Sequence, residues 1–179
     1  MGFWFNRIAP QLARLNLGLY AVHYFDQTGT VRAERETIVD GYHFPAWLRT
    51  ISDALGYIRS RPSINPDRVA LLGVSLGAFL ALSTAADPSA RIRAVVEISG
   101  GLPEPSIKSI GPNFPPTLIL HGDADTVVPV SMAHQLKDLL TRHRVPHQAL
   151  ILPGQGHWFD AAAQLQILMA TAGFLASNL

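Results

Sequence analysis

Short apolar runs alternate along the chain with segments whose apolar residues recur every three to four positions. Runs of this length, rich in β-branched and leucine side chains, are typical of strands that are buried on both faces of a parallel sheet. The pattern predicts five strands: LYAVHYF (19–25), VALLGV (69–74), RAVVEIS (93–99), TLILHG (117–122) and HQALIL (147–152).

The segments with three-to-four spacing predict helices that cover this sheet. One runs from Phe44 to Ile58 and stops before Pro62; the others span Leu76 to Ala86, follow Ser131, and extend from about Ala161 to Ala176. Alternating strands and helices indicate an α/β fold with a mostly parallel sheet flanked by helices. Because such sheets bind ligands at the carboxyl ends of their strands, chemistry is expected in the residues just after each strand.

Length, composition and charge exclude several classes of protein and of functional site. A length of 179 residues predicts one domain over 1–179, and 48% hydrophobic against 15% charged residues excludes long disorder. The net charge is +1 and the basic residues form no run, so we expect no nucleic-acid partner. Cysteine is absent, which excludes disulfides, thiolate metal sites and a cysteine nucleophile.

The first ten residues, MGFWFNRIAP, have neither a basic start followed by an apolar stretch nor a myristoylation signal. We therefore expect a cytoplasmic protein. The uncharged run 69–86 is as long as a minimal membrane span. Its cluster of Gly73, Ser75 and Gly77 favours a strand-to-helix turn instead, so we expect no membrane partner.

The segment Gly73-Val74-Ser75-Leu76-Gly77 fits the pattern G-x-S-x-G at the junction of a predicted strand and a predicted helix. In this motif the turn is sharp and the serine backbone strained, and a Cβ at either glycine is expected to collide with neighbouring chain. The serine hydroxyl is thereby exposed at a helix amino terminus. There the amide of Leu76 is the first candidate donor to an oxyanion.

A serine nucleophile needs a base, and the base needs a group that holds its tautomer. His157 follows the last predicted strand in a glycine-flanked loop, which favours it as general base over a surface imidazole. Asp125 follows the strand TLILHG, and the order Ser, Asp, His is that of α/β hydrolases. Asp123 in the same loop competes with Asp125 for this role, whereas His121 is interpreted as a structural histidine.

Nothing in the sequence indicates a cofactor. The patterns G-x-G-x-x-G and G-x-x-x-x-G-K-[ST] are absent, which removes the case for dinucleotides or P-loop phosphates. His143 and His147 are four residues apart, but Pro146 breaks any helical face between them, so metal catalysis is not expected either.

The motifs GVSLG, HGDADTVVP and GQGHWF, in this order, resemble the dienelactone hydrolase family, including its serine-esterase relatives. NPDRVALLGVSLGAFLAL is similar to the family's nucleophile strand and turn, and LYAVHYFDQTGT to the strand and loop before its first long helix. The resemblance implies that Ser75 is the nucleophile, His157 the general base and Asp125 its orienting acid. Since well-known members use cysteine as nucleophile, Ser75 favours a general ester over a dienelactone as substrate.

The same resemblance implies strands ahead of the segment FNRIAPQLARL, one of them lying between LYAVHYF and VALLGV, so we expect an amino-terminally truncated fold. Its sheet would have either unpaired edges or direct pairing of these two strands. The family's second oxyanion donor also precedes this segment, and the amide of Phe3 or Trp4 is the substitute available. Loss of one donor typically costs about a hundred- to a thousandfold in turnover, so we expect weak activity.

The sequence thus predicts a cofactor-free serine hydrolase acting on a small-molecule ester, with no feature that indicates a homo-oligomer. Two alternatives stay open: an acyltransferase or small peptidase on the same fold, and a truncated hydrolase fold that binds a partner without turnover. Four aromatic residues near strand ends are candidates for an acyl pocket, although core packing is the more common use of such residues: Tyr24, Phe25, Trp158 and Phe159.

Overall fold

The computed structural model describes the backbone of residues 2–179 and the side chains from residue 8 onward. Its centre is a sheet of four parallel strands in the order β1-β2-β3-β4: β1 Ala70–Val74, β2 Ala94–Ile98, β3 Thr117–Gly122 and β4 His147–Leu152. These are four of the five predicted strands. Because all four run parallel, their carboxyl ends meet at one edge of the sheet.

Seven helices surround the sheet within residues 2–179: α1 Gly2–Arg14, α2 Arg35–Val39, α3 His43–Arg59, α4 Leu76–Ala85, α5 Glu104–Ile107, α6 Ser131–Arg142 and α7 Ala161–Asn178. The four predicted helices correspond to α3, α4, α6 and α7, and the run 69–86 forms β1 and α4. Within residues 2–179 no helix is both long and apolar enough to cross a membrane.

The core lies on both faces of the sheet, because alternate residues of each strand point to opposite sides. On one face Val96 and Ile98 pack with α7 residues such as Ile167 and Phe174. On the other face Val95 packs with residues of α4 and α6. Trp47, fully buried on α3, anchors a third cluster over the start of β1. This arrangement is the helix-sheet-helix architecture that the alternating pattern predicts.

Helix α1 was not predicted, although its buried residues Ile8 and Leu12 stand four apart and join the core cluster that contains α7. Pro10 lies inside α1. A proline in a helix interior removes a backbone hydrogen bond and argues against a helix at the level of sequence. Packing of the apolar face of α1 on the core therefore outweighs an unfavourable local signal.

The prediction of a strand at LYAVHYF (19–25) is wrong: this segment forms no strand and pairs with none of β1 to β4. A mainly apolar cavity of about 760 Å³ lies between residues 17–22 and β1. The segment is thus separated from the strand edge that would supply its hydrogen bonds, and a strand needs such a partner. Within the part of the chain that the structure describes, β1 pairs only with β2, so the expected unpaired edge occurs and direct pairing does not.

Glu97 is a fully buried acid near the carboxyl end of β2, beside Gly73 of β1. One carboxyl oxygen accepts a hydrogen bond from the Gly100 amide (3.0 Å), and the other is buried without a partner. Burial raises the pKa of Glu97 to about 8, and the Gly100 amide offsets only part of this effect. Glu97 is therefore a neutral acid at pH 7.

Replacing Glu97 by glutamine is expected to make the protein less sensitive to alkaline pH. The ordinary pKa of 4.5 applies to the unfolded chain, so between pH 4.5 and about 8 the unfolded chain loses a proton that the folded protein keeps. The free energy of unfolding therefore falls across this window in the wild type. Relative to the glutamine variant, the wild type should lose up to about 5 kcal/mol by pH 9.

Urea denaturation of both proteins at a series of pH values measures this difference. Glutamine keeps the shape of the side chain and an acceptor for the Gly100 amide but cannot ionise. Two curves of unfolding free energy against pH that run parallel would show that Glu97 does not keep its proton in the folded state.

Candidate active site

Ser75 lies at the sharp turn between β1 and α4, as the G-x-S-x-G pattern predicts. Its backbone has φ 54° and ψ −124°, a conformation that non-glycine residues rarely adopt. The Ser75 amide donates to the Ile98 carbonyl at the end of β2 (2.8 Å), which ties the turn to the neighbouring strand. The strained turn is thus held by a hydrogen bond to the neighbouring strand, and such strain is common at functional sites.

Only one of the two glycines of the motif is required by close packing. A Cβ on Gly73 would overlap the Gly77 carbonyl, so β1 and α4 approach each other too closely for any larger residue there. A Cβ on Gly77 would meet only the Tyr24 hydroxyl, at an ordinary contact distance of 3.9 Å. The expectation of a collision at both glycines is therefore right for Gly73 and wrong for Gly77.

His157 lies in the loop after β4 and is buried, with 8% of its surface exposed. Its Nε2 is 3.0 Å from the Ser75 hydroxyl, and its Nδ1 is 2.8 Å from Oδ2 of Asp125. Both distances are those of hydrogen bonds. The structure therefore joins the three side chains, from loops after three different strands, into one hydrogen-bonded chain.

Asp125 is fixed by both of its oxygens. While Oδ2 accepts from His157, Oδ1 accepts from the amides of Val127 (2.8 Å) and Val128 (2.9 Å). Burial opposes ionisation of the carboxyl group, but these hydrogen bonds outweigh it and lower the pKa of Asp125 below its ordinary value. Asp125 is thus ionised at neutral pH and accepts the Nδ1–H of His157, which leaves Nε2 free to take a proton from Ser75.

Asp123, the competing carboxylate, points elsewhere. Its Oδ1 accepts from the Gly154 amide (2.6 Å), in the loop that carries His157. The Asp123 amide donates to Leu152, and the Ala124 amide to Gln155. These hydrogen bonds hold the loops after β3 and β4 against each other. Asp123 therefore positions the loop of His157, while Asp125 contacts the imidazole itself.

The amide of Leu76 begins α4, where the first-turn amides of a helix have no acceptor within the helix. It lies next to Ser75 in the chain and at the positive end of the helix dipole, which suits a donor to a developing oxyanion. Phe3 and Trp4 lie in the first turn of α1 rather than in a loop. A role for either amide as the second donor stays a prediction.

The aromatic candidates divide between core and surface. Phe159 is buried in the core cluster on the α7 side of the sheet, and Tyr24 and Phe25 pack with Trp47. Trp158 is 79% exposed and packs against the His157 ring in a T-shaped arrangement, with 5.1 Å between the ring centroids. Of the four, Trp158 is thus the exposed one that touches the candidate site.

Sequence reasoning did not find the amides of Val127 and Val128. Backbone donors carry no residue signature, so only the folded loop reveals them. It also interpreted His121 as structural without identifying its contacts. The structure places His121 beside Asp125, with Nε2 at 3.5 Å from Oδ2.

Comparison with known proteins identifies the fold and the family of this chain. Esterase PE8, whose crystal structure is known, has 24% sequence identity to this chain. The two structures superpose with a TM-score of 0.67, covering 84% of this chain and 68% of that chain. The crystal structure of MGS-M1, described as an alpha/beta hydrolase enzyme, has 20% sequence identity to this chain and a TM-score of 0.65, covering 75% of this chain and 66% of that chain. This similarity and the four parallel strands flanked by helices identify the fold as that of α/β hydrolases.

Two further proteins are similar in sequence to this chain over part of their length. One from Mycobacterium tuberculosis, named "Putative phosphoribosyl transferase", is 32% identical over 114 residues, 64% of this chain and 25% of that protein. One from Synechocystis, named "Putative carboxymethylenebutenolidase", is 25% identical over 118 residues, 63% of this chain and 48% of that protein. The chain thus spans between a quarter and a half of these relatives.

The model of the dienelactone hydrolase family matches residues 15–172, which include the turn at Ser75 and the loops of Asp125 and His157. The match covers most of the chain, and it agrees with the motifs that carried the resemblance in the sequence. The chain belongs to the dienelactone hydrolase family.

Proposed function

We propose that this protein is a serine hydrolase that cleaves carboxylic esters or related acyl compounds through an acyl-enzyme intermediate. The observation that carries the proposal is the hydrogen-bonded chain from the Ser75 hydroxyl through His157 to Asp125, at 3.0 and 2.8 Å. A serine hydroxyl is a weak nucleophile unless a neighbouring base accepts its proton, and this geometry supplies that base.

In the proposed reaction, Ser75 Oγ attacks the ester carbonyl carbon while His157 Nε2 takes the hydroxyl proton. The negative charge that develops on the carbonyl oxygen is stabilised by the Leu76 amide, and Asp125 stabilises the imidazolium. His157 then gives the proton to the departing alcohol as the C–O bond breaks, leaving an acyl group on Ser75. A water molecule, deprotonated by His157, attacks this ester and releases the acid and the free serine.

These steps need only side chains and amides of this chain, so the proposal requires no metal or organic cofactor. The proposed substrate of the enzyme is a small-molecule ester. An acyltransferase would use the same acyl-enzyme but pass the acyl group to another acceptor in place of water, and a peptidase would release an amine in place of an alcohol. A binding protein without turnover would form no acyl-enzyme at all.

Covalent labelling tests the proposal directly. A fluorophosphonate probe should react with Ser75 and add the mass of the phosphonyl group, because the activated oxygen displaces fluoride from phosphorus. Hydrolysis of p-nitrophenyl acetate and butyrate should accompany labelling, and prior labelling should abolish it. Peptide mass spectrometry locates the modified residue.

The possible results separate the alternatives. No labelling and no turnover would favour a binding protein, and labelling at another serine would overturn the assignment of Ser75. Product analysis in the presence of an alcohol acceptor distinguishes the remaining cases, since a transferase would yield the new ester instead of the free acid.

A further inference from the structure

His121 is a fully buried histidine at the end of β3, four residues before Asp125. Its Nε2 lies 2.8 Å from the Val128 carbonyl, which makes it a donor to that oxygen. Its Nδ1 is buried without a hydrogen-bond partner. A proton on Nδ1 would be a buried donor with no acceptor, which is unfavourable, so the geometry indicates the neutral ring with the proton on Nε2.

The Nε2 of His121 lies close to both hydrogen-bonding sides of the Asp125 carboxylate. The Val128 carbonyl that it binds belongs to the residue whose amide donates to Oδ1 of Asp125 (2.9 Å). The same Nε2 also lies 3.5 Å from Oδ2, the oxygen that accepts from His157. His121 therefore anchors the residue that donates to one oxygen of the carboxylate, and its Nε2 lies near the other oxygen.

We propose that His121 is a positioning residue, which holds the Asp125 carboxylate in the orientation that His157 requires. The inference rests on the proposed function and extends it to a second histidine behind the carboxylate. Without the donor at residue 121, the Val128 carbonyl would be buried and unpaired, and the turn 125–128 would relax to find another partner. Asp125 would then move away from the Nδ1 of His157.

Two amide side chains distinguish positioning from packing. In His121→Gln the side-chain nitrogen reaches the place of the ring Nε2, whereas in His121→Asn it reaches only that of Nδ1. We expect the Asn variant to lose about 10- to 100-fold in kcat with little change in KM, a loss of the size seen when residues that orient metal-binding side chains are replaced. The Gln variant should keep kcat within about threefold of the wild type, because it still donates to Val128.

His147 offers a matched control. It lies at the start of β4, and its Nδ1 is 2.9 Å from the Val145 carbonyl. It is thus another histidine bound to a backbone carbonyl, but at the opposite end of the strand from the loop of His157. His147→Gln should leave kcat and KM unchanged. Thermal unfolding of all three variants corrects the comparison for differences in the folded fraction.

A double-mutant cycle tests whether His121 acts through Asp125. In an Asp125→Asn background, His121→Asn should have almost no additional effect on kcat, because the group that it positions is gone. If His121 contributes only packing, the two effects multiply, and the proposal is overturned. Equal kcat in the Asn, Gln and wild-type proteins would overturn it as well.

A measurement that does not require turnover separates this inference from the proposed function. The ring protons of His157, observed by nuclear magnetic resonance with labelled histidine, report whether its Nδ1–H is bonded to Asp125. That signal should be lost in His121→Asn and kept in His121→Gln even in a protein without esterase activity. A wild-type protein without turnover would contradict the proposed function, and an unchanged signal in the Asn variant would contradict the role of His121.

Discussion

Replacing Ser75 by alanine is expected to lower kcat for p-nitrophenyl acetate hydrolysis by between about 10⁴- and 10⁶-fold. The change removes the oxygen that forms the proposed acyl-enzyme, while the Leu76 amide remains. Since residues that act as a unit lose their joint effect together, His157 and Asp125 cannot compensate. Steady-state rates, with spontaneous hydrolysis subtracted, measure the effect, and fluorophosphonate labelling should be lost in parallel.

Ser99 provides the control for this substitution. It directly follows the neighbouring strand β2, is fully buried, and has φ 51°, a positive value like the 54° of Ser75. Its hydroxyl is buried without a hydrogen-bond partner, and no proposed step uses it. Ser99→Ala should therefore retain wild-type kcat. Equal rates for the wild type and Ser75→Ala would refute the mechanism.

Replacing Asp125 by asparagine is expected to lower kcat by about 10⁴-fold without loss of the fold. The amides of Val127 and Val128 require an acceptor where Oδ1 lies, which directs the asparagine nitrogen towards Nδ1 of His157. Because that nitrogen is a donor, the ring must carry its proton on Nε2 instead. The imidazole then cannot accept the proton of Ser75.

Asp123→Asn tests whether the loss is specific to one carboxylate. Asp123 is in the same loop but accepts from the Gly154 amide, and asparagine keeps an oxygen for that bond. We expect its kcat to stay within about threefold of the wild type, since the role of Asp123 is to hold a loop. If Asp123→Asn were as damaging as Asp125→Asn, the carboxylate facing His157 in solution would not be the one in the structure.

Much of the fold follows from local pattern. The strands β1 to β4 and the helices α3, α4, α6 and α7 were predicted because burial on a sheet or on one helix face imposes a spacing that the sequence displays. LYAVHYF has the same apolar character and still forms no strand. A strand exists only through hydrogen bonds to another segment, and no local pattern states whether that partner is adjacent.

The site residues also differ in whether local sequence alone predicts them. Ser75 could be predicted because the close approach of β1 and α4 requires glycine at position 73. This requirement is visible as a motif within five consecutive residues. The choice between Asp123 and Asp125 depends instead on where two loops meet. Those loops are separated by a helix and a strand, and each carboxylate accepts from backbone amides that have no signature in the sequence.

By itself, the sequence determined the α/β class, the strand-to-helix turn at Ser75 and the chain order of the three candidate residues, because these depend on neighbours in the chain. Only the tertiary structure decided which aspartate meets His157, that a side chain has room at Gly77, that residues 19–25 pair with no strand, and that His121 lies beside Asp125. Each of these depends on distances between segments that are far apart in the chain and that only folding brings together.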